Sequence, residues 1–167
     1  YTYDSEVRRT QMRDGNGFTV NYSYDTSGRL TGLTDGSGAA IISYSYDADG
    51  RLTQETNGNG TYSTYSYDAS GQLTEISHNK ADGTVNSFFR YSYDNLGRQT
   101  QAETGDGVWN YTYDATGQLT RAQFTSNNAD IPNQDLQYVY DAAGNRTSAI
   151  INGVTTNYNA NNLNQYT

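Results

Sequence analysis

The residues of this chain that could do chemistry are few and lie apart from one another. His78 is the sole histidine of 167 residues and lies in a polar stretch, whereas nucleophilic catalysis needs a nucleophile, a base and a group that orients the base. Asp47 and Asp49 precede Gly50 as in a calcium loop, but the third aspartate and the terminal glutamate of that motif are missing. We therefore predict no enzyme activity, no cofactor and no metal site.

A ten-residue phrase, Tyr-x-Tyr-Asp-x-x-Gly-(Arg/Gln/Asn)-x-Thr, recurs along almost the whole chain. Its seven copies place one aspartate every 20 to 27 residues, and self-similarity at such a period is typical of a repeat architecture. The first copy has Val7 in place of the glycine, and a degenerate eighth copy begins at Tyr158. We expect a single repeat array over residues 1–167.

Aspartate followed three residues later by glycine is the signature of a type I turn that ends in a bulge. The aspartate accepts from a nearby backbone amide and the glycine supplies a left-handed conformation, so both are predicted to be structural turn residues. The predicted set is Asp4, Asp25, Gly28, Asp47, Gly50, Asp68, Gly71, Asp94, Gly97, Asp114, Gly117, Asp141 and Gly144. Because a β-branched residue at positive φ is an outlier, the first turn, with Val7, is expected to differ from the others.

The paired tyrosines of each phrase lie two residues apart, so an extended chain places them on one face of a sheet. We expect them to form ladders from strand to strand. The ladder residues are Tyr22, Tyr24, Tyr44, Tyr46, Tyr65, Tyr67, Tyr91, Tyr93, Tyr111, Tyr113, Tyr138 and Tyr140. Gly-rich turns such as Asp14–Gly17 and Asp35–Gly38 separate the phrases and make each repeat a hairpin.

The predicted fold class is therefore all-β: an antiparallel meander of repeated β-hairpins, twisted or curled, without a substantial helix. Leu30 and Leu33 lie three residues apart, which strict alternation would place on opposite faces. Either a bulge after the motif glycine or a sheet with apolar residues on both faces would account for this spacing.

Two repeats are longer than the rest, and the additional residues fall in the second set of turns, from His78 and from Ser126. His78, Lys80 and Pro132, each the sole residue of its type, are expected to lie in these loops. Insertions in repeat proteins often form binding surfaces, although loops also lengthen at little cost. Trp109, at the start of a strand, is either a sugar-stacking residue or part of the sheet surface.

Composition limits the classes of partner. The net charge of −8 argues against binding nucleic acid, whose phosphates require a basic surface. No apolar run is long enough to span a bilayer. Cysteine is absent, which suits an exported bacterial protein as well as a cytosolic one.

The phrase Tyr-Asp-x-x-Gly-Arg-Leu-Thr, as at Tyr24 and Tyr46, resembles the YD repeats, also called rearrangement hotspot (Rhs) repeats. These repeats occur in bacterial polymorphic toxins, Tc toxin components and teneurins. The resemblance implies a β-strand spiral that closes into a hollow shell around a toxin, in a secreted or cell-surface bacterial protein. This chain lacks the cleavage core and the toxin module of that family, so it resembles a piece of the wall.

Two functions follow from the sequence. The favoured one is a non-catalytic structural module, a segment of an Rhs/YD-repeat shell or fibre that encapsulates or presents a toxin. The alternative is a module that binds carbohydrate or a receptor through tyrosine ladders and the long loops. Tyrosines buried against neighbouring strands would favour the first function, and exposed stacked tyrosines the second.

The two end strands, around Tyr1–Asp4 and around Thr155–Tyr166, carry no lysine or proline to guard their edges. We therefore expect these edges to pair with neighbouring repeats of the same or another chain.

Overall fold

The computed structural model describes residues 1–161 and residue 165, and it consists of antiparallel β-strands joined by short turns. No helix occurs in these residues, and the predicted all-β fold class is confirmed. The strands are β1 (Thr2–Tyr3), β2 (Arg9–Arg13), β3 (Thr19–Tyr24), β4 (Leu30–Asp35), β5 (Ala40–Tyr46), β6 (Leu52–Asn57), β7 (Tyr62–Tyr67), β8 (Leu73–Asn79), β9 (Val85–Tyr93), β10 (Gln99–Thr104), β11 (Gly107–Tyr113), β12 (Leu119–Ser126), β13 (Gln134–Tyr140), β14 (Arg146–Ile151) and β15 (Val154–Asn157).

Strand order follows chain order, as expected of a meander of hairpins. The chain divides into two compact units, Tyr1–Phe88 with β1 to β8 and Phe89–Thr167 with β10 to β15; β9 begins in the first and continues into the second. That residues 1–167 act as one array remains a prediction. The degenerate eighth phrase and the end of the expected last strand lie partly outside the described residues, at 162–164 and 166–167.

A β-bulge follows the motif turn and explains the spacing of the leucines. Tyr24 pairs with Leu30 and Ser23 pairs with Gly32, so Thr31 is the extra residue of β4. An extra residue in one strand shifts the alternation by one position. As a result Leu30 and Leu33, which pairs with Tyr22, both lie on the face that carries the tyrosines.

The same threonine of the phrase is the extra residue in the other repeats. The register shifts after each motif turn skip Thr10, Thr53, Thr74, Thr100, Thr120 and Thr147. At the closing threonine of the phrase, the alternation of side chains between the two faces of the sheet therefore shifts by one residue.

The sheet has a sparse apolar core. Among the described residues, the buried hydrophobic side chains are Val20 in the first unit and Ala122, Phe124 and Ala149 in the second. The motif tyrosines are half-buried instead. Strand pairing and half-buried aromatic rings thus replace the packed interior of an ordinary two-layer domain.

The first turn contradicts the expectation made for Val7. Val7 has φ of 62°, its amide donates to the Asp4 carbonyl at 3.2 Å, and the Asp4 amide donates to the Arg8 carbonyl at 3.0 Å. The other motif turns are closed by the same two bonds. The expectation was wrong because these bonds hold the backbone of the turn, while the 80% exposed Val7 side chain projects into solvent.

The first of the two predicted long loops is also absent. The residues from His78 onward lengthen a hairpin, because His78 belongs to β8 and a four-residue turn, Lys80–Gly83, connects that strand to β9. Trp109 lies within β11, in agreement with its expected place at the start of a strand. Because β8 extends to Asn79 and its neighbour β9 begins at Val85, the added length extends the sheet. Pro132, by contrast, lies in a true loop between β12 and β13.

Candidate functional site

The phrase places its polar residues at one turn, described here for Asp25. The Asp25 Oδ1 atom accepts from the amides of Ser27 and Arg29, each at 2.9 Å. The Gly28 amide donates to the Asp25 carbonyl at 3.0 Å, and Gly28 has φ of 80°. One carboxylate oxygen therefore caps the turn, and glycine takes the conformation that closes it.

The second oxygen of the same carboxylate binds a guanidinium group. The Arg29 Nε atom donates to Asp25 Oδ2 at 2.7 Å. The pKa of Asp25 is lowered, first by the hydrogen bond from the Arg29 backbone amide and then by the hydrogen bond from its side chain. The carboxylate is thus held in its charged form by the residue four positions later.

Arg29 also reaches the next repeat. Its guanidinium lies over the Tyr46 ring, 4.7 Å from the centroid, and its Nη1 atom donates to the Asp47 carbonyl at 3.2 Å. The Tyr46 hydroxyl donates back to the Leu30 carbonyl at 2.7 Å. We call this set of contacts the Asp–Arg–Tyr link, because it joins the turn of one repeat to the strand of the next.

The link recurs at three more positions. In the first unit Arg8 lies 4.9 Å from the Tyr24 ring centroid and Arg51 lies 4.8 Å from that of Tyr67. In the second unit Arg98 lies 4.7 Å from the centroid of Tyr113. The three tyrosine hydroxyls donate to the carbonyls of Arg9, Leu52 and Gln99, respectively.

Two repeats of the second unit carry an amide in place of the arginine. The Gln118 side chain reaches the Gly144 carbonyl at 3.4 Å, and the Tyr140 hydroxyl still donates to the Leu119 carbonyl at 2.9 Å. Asn145 is shorter and donates to its own Asp141 at 3.0 Å. The hydroxyl contact between repeats is therefore kept after Gln118, although the charge is lost.

All twelve predicted ladder tyrosines lie in strands and are half-buried. In each pair the second ring lies at the edge of the sheet formed by the motif turns, here called the motif edge. The first ring lies further along the strand. Burial, followed by the nearby Glu55 carboxylate, raises the pKa of both Tyr44 and Tyr65. The ladders are consequently surfaces shared between neighbouring strands rather than free aromatic platforms.

Trp109 is part of an aromatic cluster in the second unit. Its ring stacks on Tyr111 at 6.3 Å with 7° between the planes and contacts Phe124 at 5.2 Å between centroids. Gly107 allows this packing, because a Cβ atom there would come within 2.7 Å of the Phe124 ring. Trp109 therefore contributes to the sheet surface, the second of its two predicted roles.

The remaining predicted residues lie apart from the motif edge. The His78 Nδ1 atom and the Ser63 Oγ atom are 2.8 Å apart, and Lys80 begins the turn that follows. Pro132 is exposed in its loop. Asp49 pairs with Arg51 at 3.1 Å, which agrees with a turn role for the acidic pair.

The described residues offer neither a metal-binding cluster nor a membrane-spanning helix. No cluster of three or more histidine, aspartate or glutamate side chains suits a metal ion there. No helix in that part of the chain has the length and apolar character needed to cross a membrane.

Sequence reasoning missed the arginine, which couples neighbouring repeats, and the closing threonine, which is the extra residue of each bulge. The arginine was visible as a recurring position but had no assigned partner, and the closing threonine had no assigned role. Their strict offsets from the aspartate, four and six residues, were the available signal.

The fold and the motif edge define a structural repeat protein in which each hairpin is joined to the next by its turn. The RHS repeat family model matches residues 3–40 and 46–85. These residues are therefore Rhs/YD repeats, and the same phrase recurs through the rest of the chain.

Solved structures of toxin complexes share this fold. A Photorhabdus luminescens Tc holotoxin pore containing TccC3 matches at 25% identity with a TM-score of 0.78, covering 99% of this chain and 10% of that chain. The crystal structure of TcdB2–TccC3 gives the same values. This chain thus spans about a tenth of the length of those relatives. No curated protein sequence matches it.

Proposed function

We propose that this chain is a non-catalytic wall segment of an exported bacterial protein, whose longer repeat array encapsulates or presents a toxin. The observation that carries this proposal is the match of 99% of the chain, at a TM-score of 0.78, to part of a much longer toxin-complex chain. Because this chain matches such a wall over almost its whole length, it is suited to being one segment of a wall.

The packing of the sheet supports this role. A stable domain normally buries an apolar layer between two packed elements, but here four hydrophobic side chains are buried among the described residues. Repeat arrays gain their stability from contacts between neighbouring repeats. The Asp–Arg–Tyr links supply such contacts, so the proposed wall would grow stronger with each added repeat.

The contacts of the tyrosines favour scaffold over ligand binding. The hydroxyls of Tyr46 and Tyr67 donate to carbonyls of the preceding repeat, and their rings lie under arginines. These groups are therefore engaged within the sheet. A glycan or a receptor on the ladders would have to compete with these contacts.

A protease-protection experiment on the full-length polypeptide that contains this segment tests the proposal. We expect the enclosed toxin to resist protease, and Tyr46→Ala combined with Tyr67→Ala to expose it. Arg13→Gln, an exposed substitution away from the links, is the control and should preserve protection. A toxin cleaved equally fast in the parent and in both variants would contradict encapsulation, as would a gene that encodes these 167 residues alone.

The exposed end strands give a second test. Thr2 and Tyr3 of β1 and all four residues of β15 are exposed, and a free strand edge is a template for pairing. We expect the isolated chain to associate as its concentration rises, measured by sedimentation velocity. A monomer at every concentration would contradict the proposal that other repeats pair with these edges.

A further inference from the structure

A cleft of about 340 Å³ in the first unit is lined by Lys80 and His78, the sole lysine and the sole histidine of the sequence. Its lining includes Asn57, Ser63, His78, Lys80 and Asn86. None of its lining residues is an aspartate or a glutamate, although the chain as a whole carries a net charge of −8. The cleft is therefore a local site of positive and hydrogen-bonding groups on an acidic molecule.

The cleft is built on paired strands, which fixes its walls. Ser63 of β7 and His78 of β8 are direct cross-strand partners, and their side chains are 2.8 Å apart. Ser63 is 7% exposed, so this contact sets the plane of the imidazole ring. Lys80 follows two residues later, on the same face as His78. The backbone amide of Lys80 donates a hydrogen bond to the Thr84 carbonyl, which holds this residue in the turn.

The other wall comes from the preceding hairpin turn. The Asn57 side-chain amide donates to the Thr61 hydroxyl at 3.0 Å, and that hydroxyl donates to Asn59 at 2.8 Å. Asn57 and Thr61 therefore form an ordered polar rim. The Lys80 ammonium group is exposed and can turn toward a ligand in the cleft.

We propose that this cleft binds a compact anionic polyol, namely a sugar acid or a sugar phosphate. Lys80 supplies the countercharge as a flexible point charge, which suits carboxylate and phosphate alike. His78, Asn86 and the Asn57–Thr61 rim supply hydrogen bonds to hydroxyl groups. A volume of about 340 Å³ accommodates one sugar unit and lies at the small end of the range for ligand sites.

This site is separate from the tyrosine ladders and from the proposed wall function. Its lining includes none of the motif tyrosines, and the Asp–Arg–Tyr links of the first unit join the turns after β1, β3 and β5 to the tyrosines that end β3, β5 and β7. Failure of the ligand proposal would therefore leave the proposed wall function intact, and failure of the wall proposal would leave the cleft in place.

Isothermal titration calorimetry with the full chain tests the proposal, using glucuronate, a hexose monophosphate and glucose as probes. We expect at least one anionic probe to bind with 1:1 stoichiometry and at least about tenfold more tightly than glucose. Lys80→Gln should weaken that binding about tenfold or more. Arg13→Gln removes the same charge from an exposed site outside the cleft and should leave the affinity unchanged.

Comparison of the two anionic probes shows whether carboxylate or phosphate is preferred, and either preference supports the proposal. Three results would overturn it: no saturable binding of either anion up to about 10 mM, equal affinity for glucose, or equal losses in Lys80→Gln and Arg13→Gln. As a second variant, His78→Gln should weaken binding while far-UV circular dichroism stays unchanged.

Discussion

The hairpins of the first unit end in similar turns on both sides, yet the Asp–Arg–Tyr links between repeats lie on the side of the motif turns. At the non-motif end Asp35 accepts from the amides of Ser37 and Ala39, and Gly38 donates to its carbonyl. Asp25 makes the equivalent bonds at the motif end. Turn geometry is therefore common to both sides and does not distinguish them.

The difference lies in the second carboxylate oxygen, Oδ2, and its partner. The Ser37 hydroxyl donates to Asp35 Oδ1, the oxygen that also accepts the two amides, whereas Asp25 Oδ2 holds Arg29, which lies over Tyr46 of the next repeat. A contact within a turn stabilises that turn alone, but a contact between repeats adds to their interface energy. The aspartate and the glycine therefore shape a repeat, and the arginine and the tyrosine join it to its neighbour.

The largest effect is expected from Tyr46→Ala. This change removes the ring under Arg29 and the hydroxyl that donates to the Leu30 carbonyl. Because the ring is half-buried, we expect the free energy of unfolding to fall by about 2–4 kcal/mol, somewhat less than for a fully buried aromatic residue. Urea denaturation followed by circular dichroism measures it.

Tyr46→Phe separates the two contributions of this side chain. The ring stays over the guanidinium while the hydrogen bond is lost, so we expect a loss of about 1 kcal/mol. If the phenylalanine variant were as unstable as the alanine variant, the ring contact would contribute nothing to stability. The link between the repeats would then consist of one hydrogen bond from the Tyr46 hydroxyl.

A smaller effect is expected from Arg29→Gln, which mimics the natural glutamine at Gln118. It removes the ion pair with Asp25 and the ring contact but leaves the turn intact. We expect a clear decrease in Tm, less than that of Tyr46→Ala. The matched change Arg13→Gln, beside a turn of the opposite side, should leave Tm nearly unchanged, and equal decreases would show that the two sides do not differ.

A pH experiment compares the two aspartates directly. The pKa of Asp25 is lowered from 3.8 by the Arg29 amide and side chain, and that of Asp35 by the Ser37 hydroxyl and then the Ala39 amide. A carboxyl whose pKa is lower in the folded state stabilises the fold above its unfolded pKa. That stability is lost as the pH falls through the folded value, so Asp25→Asn and Asp35→Asn should each flatten the acid side of the stability profile.

Arg29→Gln as a background makes this test specific. In this background Asp25 keeps only its hydrogen bonds from backbone amides. Its contribution to the pH dependence of stability on the acid side should therefore become smaller, and that of Asp35 should stay unchanged. Thermal melts between about pH 2 and pH 7 follow the change. A reduction at both positions would indicate a general charge effect and not the link.

The smallest effect is expected at the first turn, where Val7 occupies a left-handed conformation at φ of 62°. Val7→Gly relieves the contact of Cβ with the backbone but makes the unfolded chain more flexible. We expect a net gain of about 0.5–1 kcal/mol, seen as a higher urea midpoint. Gly28→Val, the reverse change at an ordinary motif turn, is the matched control and should be destabilising.

The fold was largely predictable because the signals were local and repeated. Aspartate and glycine at fixed spacing determine a turn within four residues, so Asp25 and Gly28 could be interpreted without knowledge of the rest of the chain. Leu30 and Leu33 left two explanations open, since the position of a bulge depends on pairing with β3. The exception at Val7 was not predictable from the backbone preference of valine, because bonds made by Asp4 and Arg8 outweigh it.

The residues that connect repeats were harder to predict. Arg29 and Tyr46 are 17 positions apart in the sequence, and only the register of the intervening strands brings them together. His78 was placed in a loop because insertions usually lengthen loops. The additional residues at His78 instead extend β8 and β9, which a single sequence does not reveal.

The Asp–Arg–Tyr link also gives the array a polarity. In each case the arginine belongs to the earlier repeat and the ring to the later one, as for Arg8 with Tyr24 and Arg51 with Tyr67. Domains are synthesised and begin to fold from the amino end. Each repeat that carries this arginine therefore leaves the ribosome with a guanidinium ready for the ring of the repeat that follows, so the order of translation is also the order of docking.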